Sequence, residues 1–154
     1  MIMISHRGCI DGPNEKENEP EFIENALDKF HCEIDLWKIN NDLFLGHDLP
    51  TYPITENWLI KRRKKLLIHC KNPAALLHMN TESEKWGYHY FWHEEDKYTL
   101  TSRGLILTYP GYSCPKGGIA MKCEYWPKIK SGWFGICSDF INSFSNYCGK
   151  DGEF

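Results

Sequence analysis

Eight short apolar runs recur along a chain of 154 residues, and no other feature restricts its fold as much. They are Met1 to Ser5, Cys32 to Trp37, Leu43 to Leu45, Leu66 to Cys70, Tyr88 to Trp92, Leu105 to Thr108, Gly118 to Lys122 and Phe134 to Cys137. Each is short and predominantly apolar, as a parallel strand covered on both faces should be. Helix signals fall between the early runs. Pro20 to Phe30 carries a proline in the first turn, early acids and apolar residues at helical spacing; Thr55 to Lys65 opens on an N-cap type; Pro73 to Met79 follows Asn72. The pattern predicts one domain over 1–154, a compact (β/α)8 TIM-type barrel. That fold ordinarily needs ~250 residues, so the helices of the second half must be shortened or missing. Gly104, Gly111, Gly117-Gly118, Gly132 and Gly135 punctuate that half as turns would. Its uncovered wall calls for a homodimer or, alternatively, for loops rich in Tyr112, Tyr125, Trp126 and Trp133 folding back.

The formal net charge is −3, and no apolar stretch is long enough for a membrane-spanning helix. Nucleic acid is not an expected partner. The single basic run, Lys61-Arg62-Arg63-Lys64-Lys65, reads as the solvated end of a helix, where the dipole favours cations. Met1-Ile2-Met3-Ile4 runs into His6 without the features of a signal peptide, so a cytoplasmic protein is expected. Cys9, Cys32, Cys70, Cys114, Cys123, Cys137 and Cys148 show no Cys-x-x-Cys spacing and read as reduced, structural thiols.

Three runs end in chemistry: His6-Arg7-Gly8, Glu33-Ile34-Asp35 and Gly46-His47-Asp48. The period of two in Glu33-Ile34-Asp35 turns both carboxylates to one side, where they can share one cation. In a parallel barrel, reacting groups come from the C-terminal ends of strands. That rule selects His6, Arg7, Glu33, Asp35, His47, His69, Lys71, His93, Tyr109 and Asp139. Two histidines can exchange protons near neutral pH. Arg7 can clamp a phosphate oxygen through its planar fork, and paired carboxylates suit a hard divalent ion. Asp11 to Glu19 reads as a mobile polar loop, and His93-x-x-Asp96 as a solvated acidic loop rather than a second ligand group.

From Ile4 to Asp48 the chain resembles the glycerophosphodiester phosphodiesterases, part of the phospholipase-C-like group of barrels. The likeness rests on His-Arg-Gly after a first strand, a Glu-Asn shortly after it, Glu-x-Asp in a second strand and His-Asp after a third. The resemblance implies His6 and His47 as the acid-base pair flanking a phosphate, Lys71 as a further phosphate contact, and Glu33 and Asp35 as metal ligands. At the fourth strand the sequence departs from the family, whose usual glutamate is replaced by His69. An imidazole there either ligates, shifting preference towards manganese, zinc or another imidazole-tolerant ion, or lies on the rim without ligating.

The expected function is therefore a hydrolase: a phosphodiesterase using one divalent ion (Mg, Mn, Ca or Zn) on a small or headgroup-like phosphodiester. Attack would come from water or from a neighbouring substrate hydroxyl. The rival expectation is a non-catalytic phosphate-binding barrel, and the discriminating feature is the retained histidine pair, which binding alone does not need. Trp37, Trp92, Tyr109, Tyr112, Trp126 and Trp133 supply aromatic surface, some of it available to an organic group of the substrate.

Overall fold

The computed structural model describes residues 1–147. Its strands are β1 (Ile2–His6), β2 (His31–Ile39), β3 (Asp42–Leu45), β4 (Tyr52–Ile54), β5 (Leu66–Cys70), β6 (Tyr90–Trp92), β7 (Tyr98–Leu100), β8 (Ile106–Thr108), β9 (Ile119–Ala120) and β10 (Gly135–Ser138). The α-helices among the described residues are α1 (Pro20–Leu27), α2 (Glu56–Arg62) and α3 (Pro73–Trp86), with short 3-10 turns at Cys123–Tyr125 and Ile141–Tyr147.

This is a ten-stranded mixed sheet, not a (β/α)8 barrel with helices between its strands. The path runs β4-β3-β2-β1-β10-β9-β8-β7, and β5 adds to β2 and carries β6. Connection length explains the correction. Only Asn40 and Asn41 separate β2 from β3, and a parallel crossover needs about a dozen residues, so the third strand turns back antiparallel on the second. Asn40 takes the positive φ (55°) that such a turn requires. Two strands, β4 and β7, lay outside the sequence expectation, and both pair antiparallel with their chain neighbours. From β6 to β10 the strands are linked by loops and one 3-10 turn.

Where the chain does use helices, their ends carry recognisable signals. Trp58 N–H donates to the Thr55 hydroxyl at the start of α2, and Ala75 N–H donates to Asn72 Oδ1 at the start of α3. Gly87 closes α3 in the left-handed region. The basic run belongs to the end of α2: Arg62 pairs with Glu24 and stacks over Trp58, and Lys65 Nζ donates to the Leu27 carbonyl.

Alternation along the strands separates two faces. On β2, Cys32, Ile34 and Leu36 join Ile68 and Cys70 of β5 in a cluster covered by α1, α2 and α3. A second cluster joins Ile2, Ile4, Leu67, Phe91, Leu107, Ile119 and Cys137, which come from strands spread along the whole parallel row. Only a curled sheet brings those residues into one core. A third lies outside β1 and β10, where Trp126 and Trp133 pack edge to face at 5.1 Å beside Met3, Ile136 and Ile141. Tyr125 is exposed and takes no part in it. All six described cysteines are buried and unpaired, and burial pushes the Cys9 thiol up to about 11 and the Cys70 thiol up to about 12; Cys148 lies outside the described residues. No helix of the described residues is long and apolar enough to cross a membrane.

Candidate functional site

Strand register assembles the site. In the parallel ladders His6 lies beside Glu33, Asp35 beside His69, and His69 beside Phe91. Because β2 turns Cys32, Ile34 and Leu36 towards the helices, Glu33 and Asp35 point to the opposite, inner face. Ser5 pairs with Ser138, which brings Asp139 alongside His6. The result is a cavity of about 380 Å³ lined by His6, Arg7, Glu33, His47, His69, Lys71, Phe91, Trp92, His93, Glu94, Tyr109, Met121 and Lys122.

His6 Nδ1 lies 2.7 Å from Asp139 Oδ1, and Lys122 Nζ donates to the other Asp139 oxygen at 2.7 Å. A carboxylate can only accept, so Nδ1 carries the hydrogen and neutral His6 presents a lone pair on Nε2. That nitrogen is 3.8 Å from Glu33 Oε2. Burial, followed by the charges of Arg7 and Lys122, outweighs the Asp139 hydrogen bond and lowers the His6 pKa. Burial alone would raise Asp139; its bonds with His6 and Lys122 bring it down to about 2.

Asp35 is held on several sides. Asn18 Nδ2 donates to its Oδ2 at 2.9 Å, Asp35 N–H donates to Asn18 Oδ1 at 2.9 Å, and Arg7 Nε lies 2.8 Å from the same Oδ2. Arg7 also pairs with Glu17, at 3.3 Å. Burial would raise the Asp35 carboxyl, but the nearby His69 and Arg7 keep it well below the usual carboxylate range. Glu33 has the opposite balance: burial and then the Asp35 charge push its carboxyl well above that range.

His69 Nε2 lies 3.1 Å from the His93 carbonyl, so it bears the hydrogen, and the ring stacks on Phe91 at 4.7 Å. Nδ1 then faces Asp35 Oδ1 at 2.9 Å and Glu33 Oε1 at 3.8 Å. Among the described residues Glu33, Asp35 and His69 form a buried group that could hold a metal ion. The donor set fits one: no hydrogen-bond donor satisfies Glu33 Oε2 or Asp35 Oδ1, and such buried oxygens are costly unless a partner is supplied.

His47 reaches the same cavity through the antiparallel β3, whose Leu45 pairs with Leu36. Gly46 makes the bend at φ 150°, where a Cβ would lie 2.0 Å from the Leu49 carbonyl, and its own carbonyl accepts from Trp37 Nε1 at 2.7 Å. The His47 ring contacts Asp48 at 2.8 Å and is about one-third exposed, at 38%. Burial, then Arg7, lowers its pKa. Lys71 Nζ is 3.6 Å from Asp35 Oδ1. His93 stacks on Tyr109 at 4.2 Å on the far wall, and its Nδ1 lies 3.9 Å from Asp96 Oδ2. Of the other histidines, His78 bonds Glu56 and His89 bonds Thr101, both away from the cavity lining.

Two contributors, Asn18 and Lys122, are not among the site residues selected from the sequence. Asn18, fully buried at a φ of 66°, anchors the loop expected to be mobile. Of the two Glu-Asn pairs after β1, Glu17-Asn18 and Glu24-Asn25, the first reaches the site. Lys122 follows β9 in a left-handed conformation, φ 51°. It stands at a strand end, the signal that selected the other residues, and could have been found by it. Compared with protein-family models, curated proteins and solved structures, the chain matches none.

Proposed function

We propose that this protein is a metal-dependent phosphodiesterase that cleaves a small or headgroup-like phosphodiester, with His6 and His47 as its proton-transfer pair. The observation that carries the reading is the His6 ring: Asp139 holds one nitrogen, and the other opens into a cavity that also contains His47 and three cationic side chains. A binding site for a phosphate needs the cations but not an oriented, uncharged imidazole.

In this reading a phosphate diester lies among Arg7, Lys71 and Lys122, whose charges offset the negative charge gathering on the phosphoryl oxygens. His6 Nε2 takes the proton of the attacking hydroxyl, and Asp139 stabilises the imidazolium that results. His47, nearer solvent, returns a proton to the departing alkoxide. An ion held by Glu33, Asp35 and His69 would supply Lewis-acid polarisation of a phosphoryl oxygen. The same pair serves whether water or a neighbouring substrate hydroxyl attacks.

The test is a panel of phosphodiesters assayed after chelation and again with single divalent ions restored. Hydrolysis should return with an ion. His6→Asn and His47→Asn should each lower turnover at least ~100-fold, the lower range for a proton-transfer group. Unchanged turnover in either folded variant, or no cleavage with any ion, overturns the reading.

A further inference from the structure

The three residues that could hold an ion are not equivalent, and their partners restrict which ion suits them. Asp35 Oδ2 is already occupied by Asn18 Nδ2 at 2.9 Å and Arg7 Nε at 2.8 Å. Only Oδ1 is left to a metal, so Asp35 is a one-oxygen ligand. Lys71 stands 3.6 Å from that oxygen, and with Arg7 it offsets much of the negative charge that attracts a hard cation. Calcium normally collects six to eight oxygens, often with bidentate carboxylates, and magnesium requires an octahedron of oxygens or waters. Two carboxylates flanked by two cations are a poor start for either.

His69 supplies what they lack. Donation from Nε2 to the His93 carbonyl fixes the tautomer, and stacking on Phe91 fixes the ring plane, with 11° between the two rings. The remaining lone pair on Nδ1 faces two carboxylate oxygens, at 2.9 and 3.8 Å. Glu33, Asp35 and His69 thus converge on a buried space that calls for an electron-pair acceptor; a proton can bridge two of the three, whereas a metal ion engages all of them at once. A carbonyl behind the far nitrogen is also the usual arrangement by which a protein orients an imidazole towards a metal.

We infer that Glu33, Asp35 and His69 select a first-row transition ion such as manganese, cobalt or zinc over magnesium and calcium, with His69 Nδ1 as the selecting ligand. The inference rests on the metal-binding part of the function proposed above and is independent of the reaction. The affinity of a nitrogen-containing site rises from manganese to copper and stays above that of manganese at zinc, whereas oxygen-preferring alkaline-earth ions gain little from nitrogen donors.

The ion-free chain should be titrated calorimetrically with each ion, without substrate. Most sites containing nitrogen favour zinc to some degree, so affinity order alone does not decide. Two further readouts do. Pulsed electron paramagnetic resonance of the manganese form should show a ¹⁴N coupling, which His69→Gln should remove while weakening manganese binding at least ~10-fold. His69→Glu should narrow the gap between manganese and calcium by a similar factor. No ion binding, calcium or magnesium bound as tightly as manganese, or a coupling that survives His69→Gln would each overturn the inference. If His69→Glu does not fold, the wild-type coupling and its loss in His69→Gln still decide. Phosphodiester cleavage with calcium and no ¹⁴N coupling would sink the ion assignment alone; a clear coupling without cleavage of any diester would sink the reaction alone.

Discussion

The chain up to β6 and the chain after it build the same cavity by different means. The first part has three α-helices covering one face, and it places four of its site residues on strands whose registers pair them directly, His6 with Glu33 and Asp35 with His69, while Arg7, His47 and Lys71 follow strand ends. The second part has short strands, loops and 3-10 turns among its described residues. It contributes groups that follow strands: Tyr109 stacks on His93, and Lys122 holds the carboxylate that holds His6. Charges that must converge closely lie on paired backbone, where neighbouring strands are about 4.8 Å apart. Groups that orient a partner are carried by loops and kept in place by ion pairs and ring stacking.

The largest expected effect tests whether the paired-strand half truly balances its own charge. Asp35→Asn leaves the Arg7 guanidinium without its main buried partner and should lower stability by about 3–5 kcal/mol. Glu33→Gln should leave the ion-free fold as stable or more so, because burial and the Asp35 charge already disfavour the ionised Glu33. Both should abolish ion binding. Denaturant melts paired with calorimetric titration check this, and equal losses of stability would show that the two acids are held alike.

A smaller effect belongs to the loop-borne half. Asp139→Asn removes a charge-assisted hydrogen bond worth about 1.5–3 kcal/mol, or roughly 10- to 150-fold in turnover, with substrate binding little changed. Because Asp139 favours the imidazolium, its loss lowers the His6 pKa further, and the acid limb of the rate profile should move to lower pH. An unmoved limb would mean that Asp139 serves packing alone.

At the seam between the halves, His89 Nε2 bonds the Thr101 hydroxyl at 2.8 Å, and Ser102 N–H donates to the Tyr90 carbonyl at 2.8 Å. Burial lowers His89 to about 3, with a minor contribution from Arg103. The unfolded chain therefore takes up this proton first, near 6.5. Stability from this site is complete above that pH and falls as the pH drops towards 3, by about 1.4 kcal/mol per pH unit. His89→Gln should flatten this acid limb in melts recorded from pH 7 to 4.

The smallest effect is confined to the helical part. Thr55→Ala removes the N-cap of α2 and should cost about 1 kcal/mol in a denaturant melt, leaving ion binding unchanged.

What the sequence determined by itself is local. Apolar runs mark eight of the ten strands, Thr55 and Asn72 mark helix starts, and the period of two in Glu33-Ile34-Asp35 turns both acids to one face. These features depend on neighbours along the chain. Even the reversal at β3 is written in its two-residue link, which cannot cross over a sheet. The missed strands β4 and β7 end the strand path and bury little: Tyr52-Pro53-Ile54 holds a proline and Tyr98-Thr99-Leu100 buries only Thr99, so neither makes an apolar run. Tertiary structure decided which partners meet. Asp139 stands 133 residues from His6, and only the parallel register of β10 on β1 makes them neighbours. Asn18 reads as one polar residue in a polar loop until its side chain is seen bonded to Asp35. The curl of the sheet is of the same kind. It arises because residues far apart in sequence, Leu67, Leu107 and Ile119 among them, leave water together, and that gain has no signature in any single segment.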